Sequence, residues 1–149
     1  DHSALKSAPD ETAFRVLSRA LCTISGNRYR PRLSALMPLK ELTTATTLHG
    51  CLAYAHKDTL RITQELNTIT PQNNRWQISG LLKNIQKIEP LGEKGLKSCE
   101  NWRETALLPR RSLLSSPAIW QGEHLIAAPL ARPTPKWQAH ARNPLHLSK

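Results

Sequence analysis

Residues 47–65 read Thr-Leu-His-Gly-Cys-Leu-Ala-Tyr-Ala-His-Lys-Asp-Thr-Leu-Arg-Ile-Thr-Gln-Glu, and no other run constrains the fold as much. Two alternating segments flank a short polar tip at His56-Lys57-Asp58, which predicts a β-hairpin. Leu48, Cys51 and Ala53 or Tyr54 fill one side of the first strand, and Leu60 and Ile62 point one way from the second. Gly50 falls inside the first strand, where a missing side chain predicts a bulge or a close backbone approach.

Upstream the period changes from two to 3.6. Ala13, Phe14, Leu17, Ala20, Leu21 and Ile24 recur at helical spacing, with Asp10 placed to cap the start, Glu11 in the first turn and Gly26 at the stop. A helix over 11–25 follows, with Arg15 and Arg19 four apart and off the apolar stripe. After the loop Gly26-Asn27-Arg28-Tyr29-Arg30, Pro31 opens a short helix over 31–37, and Pro38 kinks or ends it. Thr43 to Thr47 reads as a connector.

Downstream of the hairpin, Thr70 to Asn74 is a turn-rich link. Short strands are expected over 75–80 and 84–90, and short helices over 96–103 and 109–114. Ala118 to Trp120 and His124 to Ala128 flank a Gln121-Gly122-Glu123 turn, a second hairpin. From Arg132 the chain is polar and proline-bearing, which predicts a tail that is mobile or draped over the surface; Trp76, Trp102 and Trp120 read as core or core-edge residues, with Trp137 in the tail the exception. The fold class is therefore α+β: a helical segment, then a small mixed or antiparallel β unit with one or two short helices. The segments are 1–46, 47–131 and the tail 132–149.

The chemistry-bearing patterns are few. Among 149 residues there are 21 Lys and Arg against 11 Asp and Glu, and the excess is uneven. Arg28, Arg30 and Arg32 form one cluster; from Arg103 onward seven basic residues face only Glu104 and Glu123. Such a balance favours a polyanion, most simply nucleic acid, through counterion release, although solubilising charge gives the same composition. Cys22, Cys51 and Cys99 are odd in number and far apart, which argues against a disulfide framework, and none has zinc-ligand spacing. A reduced cytoplasm fits. No apolar run is long enough to span a bilayer, and none of the Gly-rich phosphate-loop patterns occurs. His49 and Cys51 share a strand face on this reading, but a small buried thiol beside a half-exposed imidazole is the simpler account. No catalytic, cofactor or metal residue is assigned.

The binding candidates lie at two loop–helix junctions. Arg28-Tyr29-Arg30-Pro31-Arg32 joins three guanidiniums and a ring that can bridge phosphates and stack on a base. Arg110 and Arg111 after Pro109 form the second junction. At both, arginines that are merely solvated, with Tyr29 packed on the first helix, stand as the alternative.

Several ordered segments add a resemblance. Phe14-Arg15-Val16-Leu17-Ser18-Arg19-Ala20-Leu21 with Tyr29-Arg30-Pro31-Arg32, Thr47-Leu48-His49-Gly50-Cys51-Leu52, Asn74-Arg75-Trp76 and Ile88-Glu89-Pro90-Leu91-Gly92 are the first. Leu108-Pro109-Arg110-Arg111 through Ser116-Pro117-Ala118-Ile119-Trp120 and Leu125-Ile126-Ala127-Ala128-Pro129 complete them. Together they resemble the C-terminal region of tRNA(Ile)-lysidine synthases of the alphaproteobacterial type, with His49 and Trp76 in place of that family's Gly and Phe. The resemblance implies a parent enzyme that adenylates the wobble cytidine of an isoleucine tRNA (CAU anticodon) with ATP and ligates lysine to it. That family's Ser-Gly-Gly-x-Asp-Ser loop belongs to an N-terminal ATP-pyrophosphatase-type domain and is absent here, so ATP belongs to the parent and no catalytic residue carries over. The implied partners are that tRNA and the missing N-terminal catalytic domain, with no membrane; a homodimer is also compatible with the sequence. A stand-alone nucleic-acid-binding module and a protein-interaction domain remain the alternatives.

Overall fold

The computed structural model describes residues 1–142 and divides into two compact units, Asp1–Glu65 and Leu66–Arg142. Residues 143–149, part of the expected tail, lie outside the described residues. The architecture is α+β, as the sequence predicts.

Unit 1 runs α1 (His2–Ser7), α2 (Asp10–Ser25), α3 (Leu33–Lys40), β1 (Thr46–Leu48), β2 (Cys51–His56) and β3 (Thr59–Gln64). The strands form one antiparallel sheet in the order β1-β2-β3. A bare hairpin is marginal in water, so its apolar side needs a lid. Leu17, Leu21 and Ile24 of α2, with Leu36 and Leu39 of α3 and Leu42, supply it, closing over Cys51 and Ala53. The helix ends where Gly26 turns left-handed (φ 76°), its N–H donating to Cys22 O at 3.0 Å.

Four local expectations change here. Pro9, not Asp10, occupies the cap position of α2; Asp10 is the first helical residue, and its carboxylate accepts from Lys40 Nζ at 2.7 Å. The second helix starts at Leu33 and runs through Pro38 to Lys40. Leu36 and Leu39, both buried, offset the hydrogen bond that Pro38 cannot make. Gly50 is not in a bulge: with His49 it forms a two-residue turn between β1 and β2, both residues at positive φ (59° and 76°). That is the backbone a tight hairpin turn requires, so one expected strand is two. His49 and Cys51 accordingly do not sit on one strand.

Unit 2 contains a 3-10 turn (Leu66–Thr68), then β4 (Trp76–Ser79), β5 (Lys87–Pro90), α4 (Gly92–Ser98), α5 (Trp102–Thr105), α6 (Arg110–Leu114), β6 (Pro117–Gln121), β7 (His124–Ala127) and β8 (Gln138–Ala141). β6 is the centre of the antiparallel sheet β5-β6-β7, so Pro117 to Trp120 are all buried. Leu91, Leu96, Cys99, Leu113, Ala118, Trp120 and Leu130 form the core, and Trp120 Nε1 donates to Pro90 O at 3.2 Å. The expected helix over 96–103 breaks in two, because Cys99 is extended and Asn101 is left-handed (φ 59°).

The tail differs most from expectation. β8 pairs antiparallel with β4, from Trp76↔Ala141 to Ser79↔Gln138. Trp137, the one indole not expected in the core, is only 5% exposed and packs with Ile119, Ala127 and Ile78. Gly80 permits this: a Cβ there would lie 2.2 Å from the Trp137 ring. A glycine far upstream thus makes room for an indole near the end of the described chain.

Candidate nucleic-acid interface

Both basic junctions border an open concavity, and the one in unit 1 gathers more arginines. The loop after α2 is fixed by short-range bonds that its sequence supplies. Ser25 Oγ accepts from Asn27 N (3.1 Å), Asn27 Oδ1 accepts from Tyr29 N (2.9 Å), and the Cys22 thiol donates to Tyr29 O (3.4 Å). The last bond ties the loop back to the helix and leaves Arg28, Tyr29 and Arg30 all exposed.

Arg28 and Arg30 then line an open concavity of about 420 Å³ together with Arg15, Ser18, Arg19, Cys22 and Thr23 of α2. Arg15 and Arg19, one helical turn apart, were visible in the sequence as basic residues off the apolar stripe; what joins them to the loop is the fold-back at Cys22. Tyr29 is 82% exposed and does not line the groove, nor does Arg32, which caps α3. The alternative in which Tyr29 packs on the first helix is thereby removed. Arg15 donates to Glu11 Oε1 at 2.7 Å. Among the described residues, no ion pair engages Arg19, Arg28 or Arg30.

The second junction is differently built. Arg110 opens α6 and forms a two-oxygen ion pair with Glu93 (2.7 and 2.5 Å). Arg111 is exposed on the same helix. Arg103 lies over the Trp102 ring, 4.6 Å from its centroid, so one face of that indole is occupied. Sequence reasoning could not see the Glu93 partner, seventeen positions away.

Nothing in the described residues groups three or more His, Cys, Asp or Glu as a metal site, and no helix is long and apolar enough to cross a membrane. Cys51 and Cys99 are buried and only Cys22 is partly exposed. Burial pushes the Cys99 thiol above its ordinary pKa, against a smaller opposing pull from Arg132.

Fold and groove together define a basic α+β protein whose first unit gathers guanidiniums that have no ion-pair partner among the described residues. Comparison with known proteins gives that class a relative. The chain is 34% identical over 146 residues to the tRNA(Ile)-lysidine synthase of Ruegeria pomeroyi, a match that covers 90% of this chain and 34% of that protein. The resemblance seen in the ordered segments therefore holds, and the chain spans about a third of the length of the curated relative it matches. No family model and no solved structure matches the chain.

Proposed function

We propose that this chain is the tRNA-holding C-terminal portion of a cytoplasmic tRNA(Ile)-lysidine synthase, working beside an N-terminal domain that carries the ATP site and the catalysis. The substrate is then the isoleucine tRNA with a CAU anticodon, whose wobble cytidine the parent enzyme joins to lysine. The observation that carries the reading is the 34% identity spread over 90% of the chain, since it spans both units rather than one motif. The exposed arginines Arg28, Arg30 and Arg32 agree with it physically: guanidiniums that meet no carboxylate among the described residues are complementary to phosphate.

The test is binding of the 149-residue chain to isoleucine tRNA and to a plain RNA duplex of equal length at two salt concentrations. A preference for the tRNA that survives the higher salt is expected. Equal and steeply salt-sensitive binding of both would make this a generic basic module. No RNA binding at either salt would leave a protein-interaction domain with solubilising charge.

A further inference from the structure

We propose that the groove between α2 and the loop after it is a phosphate site that grips the sugar–phosphate backbone of an RNA strand, with Arg15 and Arg19 acting jointly with Arg28 and Arg30. The inference rests on the tRNA reading above and adds to it a defined place on the molecule and two residues of a helix.

Three observations lead there. First, four guanidiniums line one concavity, and three of them lack an ion-pair partner among the described residues. Like charges held together without counter-charge are mildly unfavourable, and a bound anion removes that cost. Second, the arrangement is held in place before any ligand arrives. Arg15 and Arg19 stand on a regular helix, about 6 Å apart along its axis at 1.5 Å per residue. The loop that carries Arg28 and Arg30 is pinned at Ser25, Asn27 and Cys22. Pre-organised donors lose less entropy on binding, and guanidinium forks match phosphate oxygens in pairs. Third, among the described residues no aromatic one lines the groove; its other walls are Ser18, Cys22 and Thr23. A site without a stacking face or an apolar floor reads backbone and not base. Glu11 sets a condition on the fourth arginine: Arg15 must exchange that carboxylate for a phosphate.

Cys22 supplies a local reporter. Cys22 lines the groove and is partly exposed, whereas Cys51 and Cys99 are 0% and 2% exposed, so N-ethylmaleimide applied to the folded chain should mark Cys22 first. The experiment follows that alkylation with isoleucine tRNA, with a plain RNA duplex, with inorganic phosphate and with no ligand. It compares the unaltered chain with Arg19→Ala/Arg28→Ala/Arg30→Ala, whose far-UV spectrum should not change because all three residues are exposed. Expected are a tenfold or greater slowing of alkylation by the tRNA, lost in the triple variant. The log–log salt slope of binding should fall by about 2 to 2.7 in that variant, at roughly 0.7 to 0.9 per phosphate contact.

If the triple variant binds tRNA with unchanged affinity and slope, and Cys22 stays reactive under tRNA, the groove is not the site while the tRNA reading stands. If the unaltered chain binds no RNA, the reading itself fails and takes the groove with it. If inorganic phosphate alone protects Cys22 as fully as RNA does, the groove is a small-anion site and the backbone assignment is overturned.

Discussion

The two units differ in how their charge meets carboxylates at the basic junctions. Unit 1 has nine Lys and Arg against six Asp and Glu over residues 1–65, and unit 2 has eleven against five over residues 66–142. By net charge unit 2 is the more basic. Yet at its loop–helix junction Arg110 is neutralised by Glu93, and elsewhere Lys94 pairs with Glu123 at 3.4 Å. The less basic unit concentrates Arg19, Arg28 and Arg30 around one groove with no carboxylate to answer them among the described residues. On the proposed reading, uncompensated charge held in one place matters more than the net charge of a unit.

The contrast can be broken at its foundation. Leu21 is fully buried between α2 and the sheet, and Leu21→Ala should cost unit 1 about 2–5 kcal/mol, read as a lower urea midpoint in the far-UV signal. RNA binding should fall with it near the new midpoint. All four tryptophans lie in unit 2 and both tyrosines in unit 1, so tryptophan emission tells whether the loss is confined to the unit that was altered. A change of similar kind in unit 2 should leave RNA binding by the groove intact. Gly80→Ala places a methyl against Trp137 at a backbone of φ +153°, and should cost about 1–3 kcal/mol with a shift in tryptophan emission. An unmoved emission maximum would mean that the Trp137 pocket yields easily.

Smaller effects sharpen the comparison. Glu93→Gln frees Arg110 and makes the second junction resemble the first. The salt slope of RNA binding should then steepen by about 0.7 to 0.9, the value of one phosphate contact. An unchanged slope would keep Arg110 out of the interface. Smallest of all, Glu11→Gln releases Arg15 from an exposed pair four residues away on the same helix. It should cost about 0.3–0.5 kcal/mol of helix stability and tighten RNA binding slightly, as measured by titration at low salt. Weaker binding instead would mean that Glu11 orients Arg15 and does not compete for it.

How much of this was legible beforehand depended on the range of the interactions. The α2 helix and the Cys51–Gln64 hairpin announce themselves because their patterns repeat within a few residues and their stops, Gly26 and the Lys57-Asp58 tip, are local. β1 is three residues long, too short to show an alternation of its own, so its turn at His49-Gly50 looked like a flaw in a longer strand. β8 was missed for a different reason. Its sequence, Gln-Ala-His-Ala, has no large apolar residue, and it becomes a strand through its pairing with β4 and a pocket for Trp137 that opens at Gly80. The candidate site divides the same way. Arg28 and Arg30 were evident as a cluster; Arg15 and Arg19 were evident as a polar helix face. That the four share a groove depends on a loop tied back by the Cys22 thiol, and no periodicity encodes that bond. The neutralising role of Glu93 is a contact between α4 and α6 and is equally invisible along the chain.

The pairing of β4 with β8 also has a consequence for how the chain is born. Synthesis proceeds from the N-terminus, and domains fold as they emerge from the ribosome. Every strand of the first sheet has been delivered once Gln64 is out, so the groove-bearing unit can close while the rest is still being translated. β4 emerges soon afterwards but must wait for residue 141 before it meets its partner, with Trp76 and Ile78 uncovered in the interval. The nascent chain therefore matures in two stages, and the later one exposes an unpaired strand for as long as translation takes to reach β8.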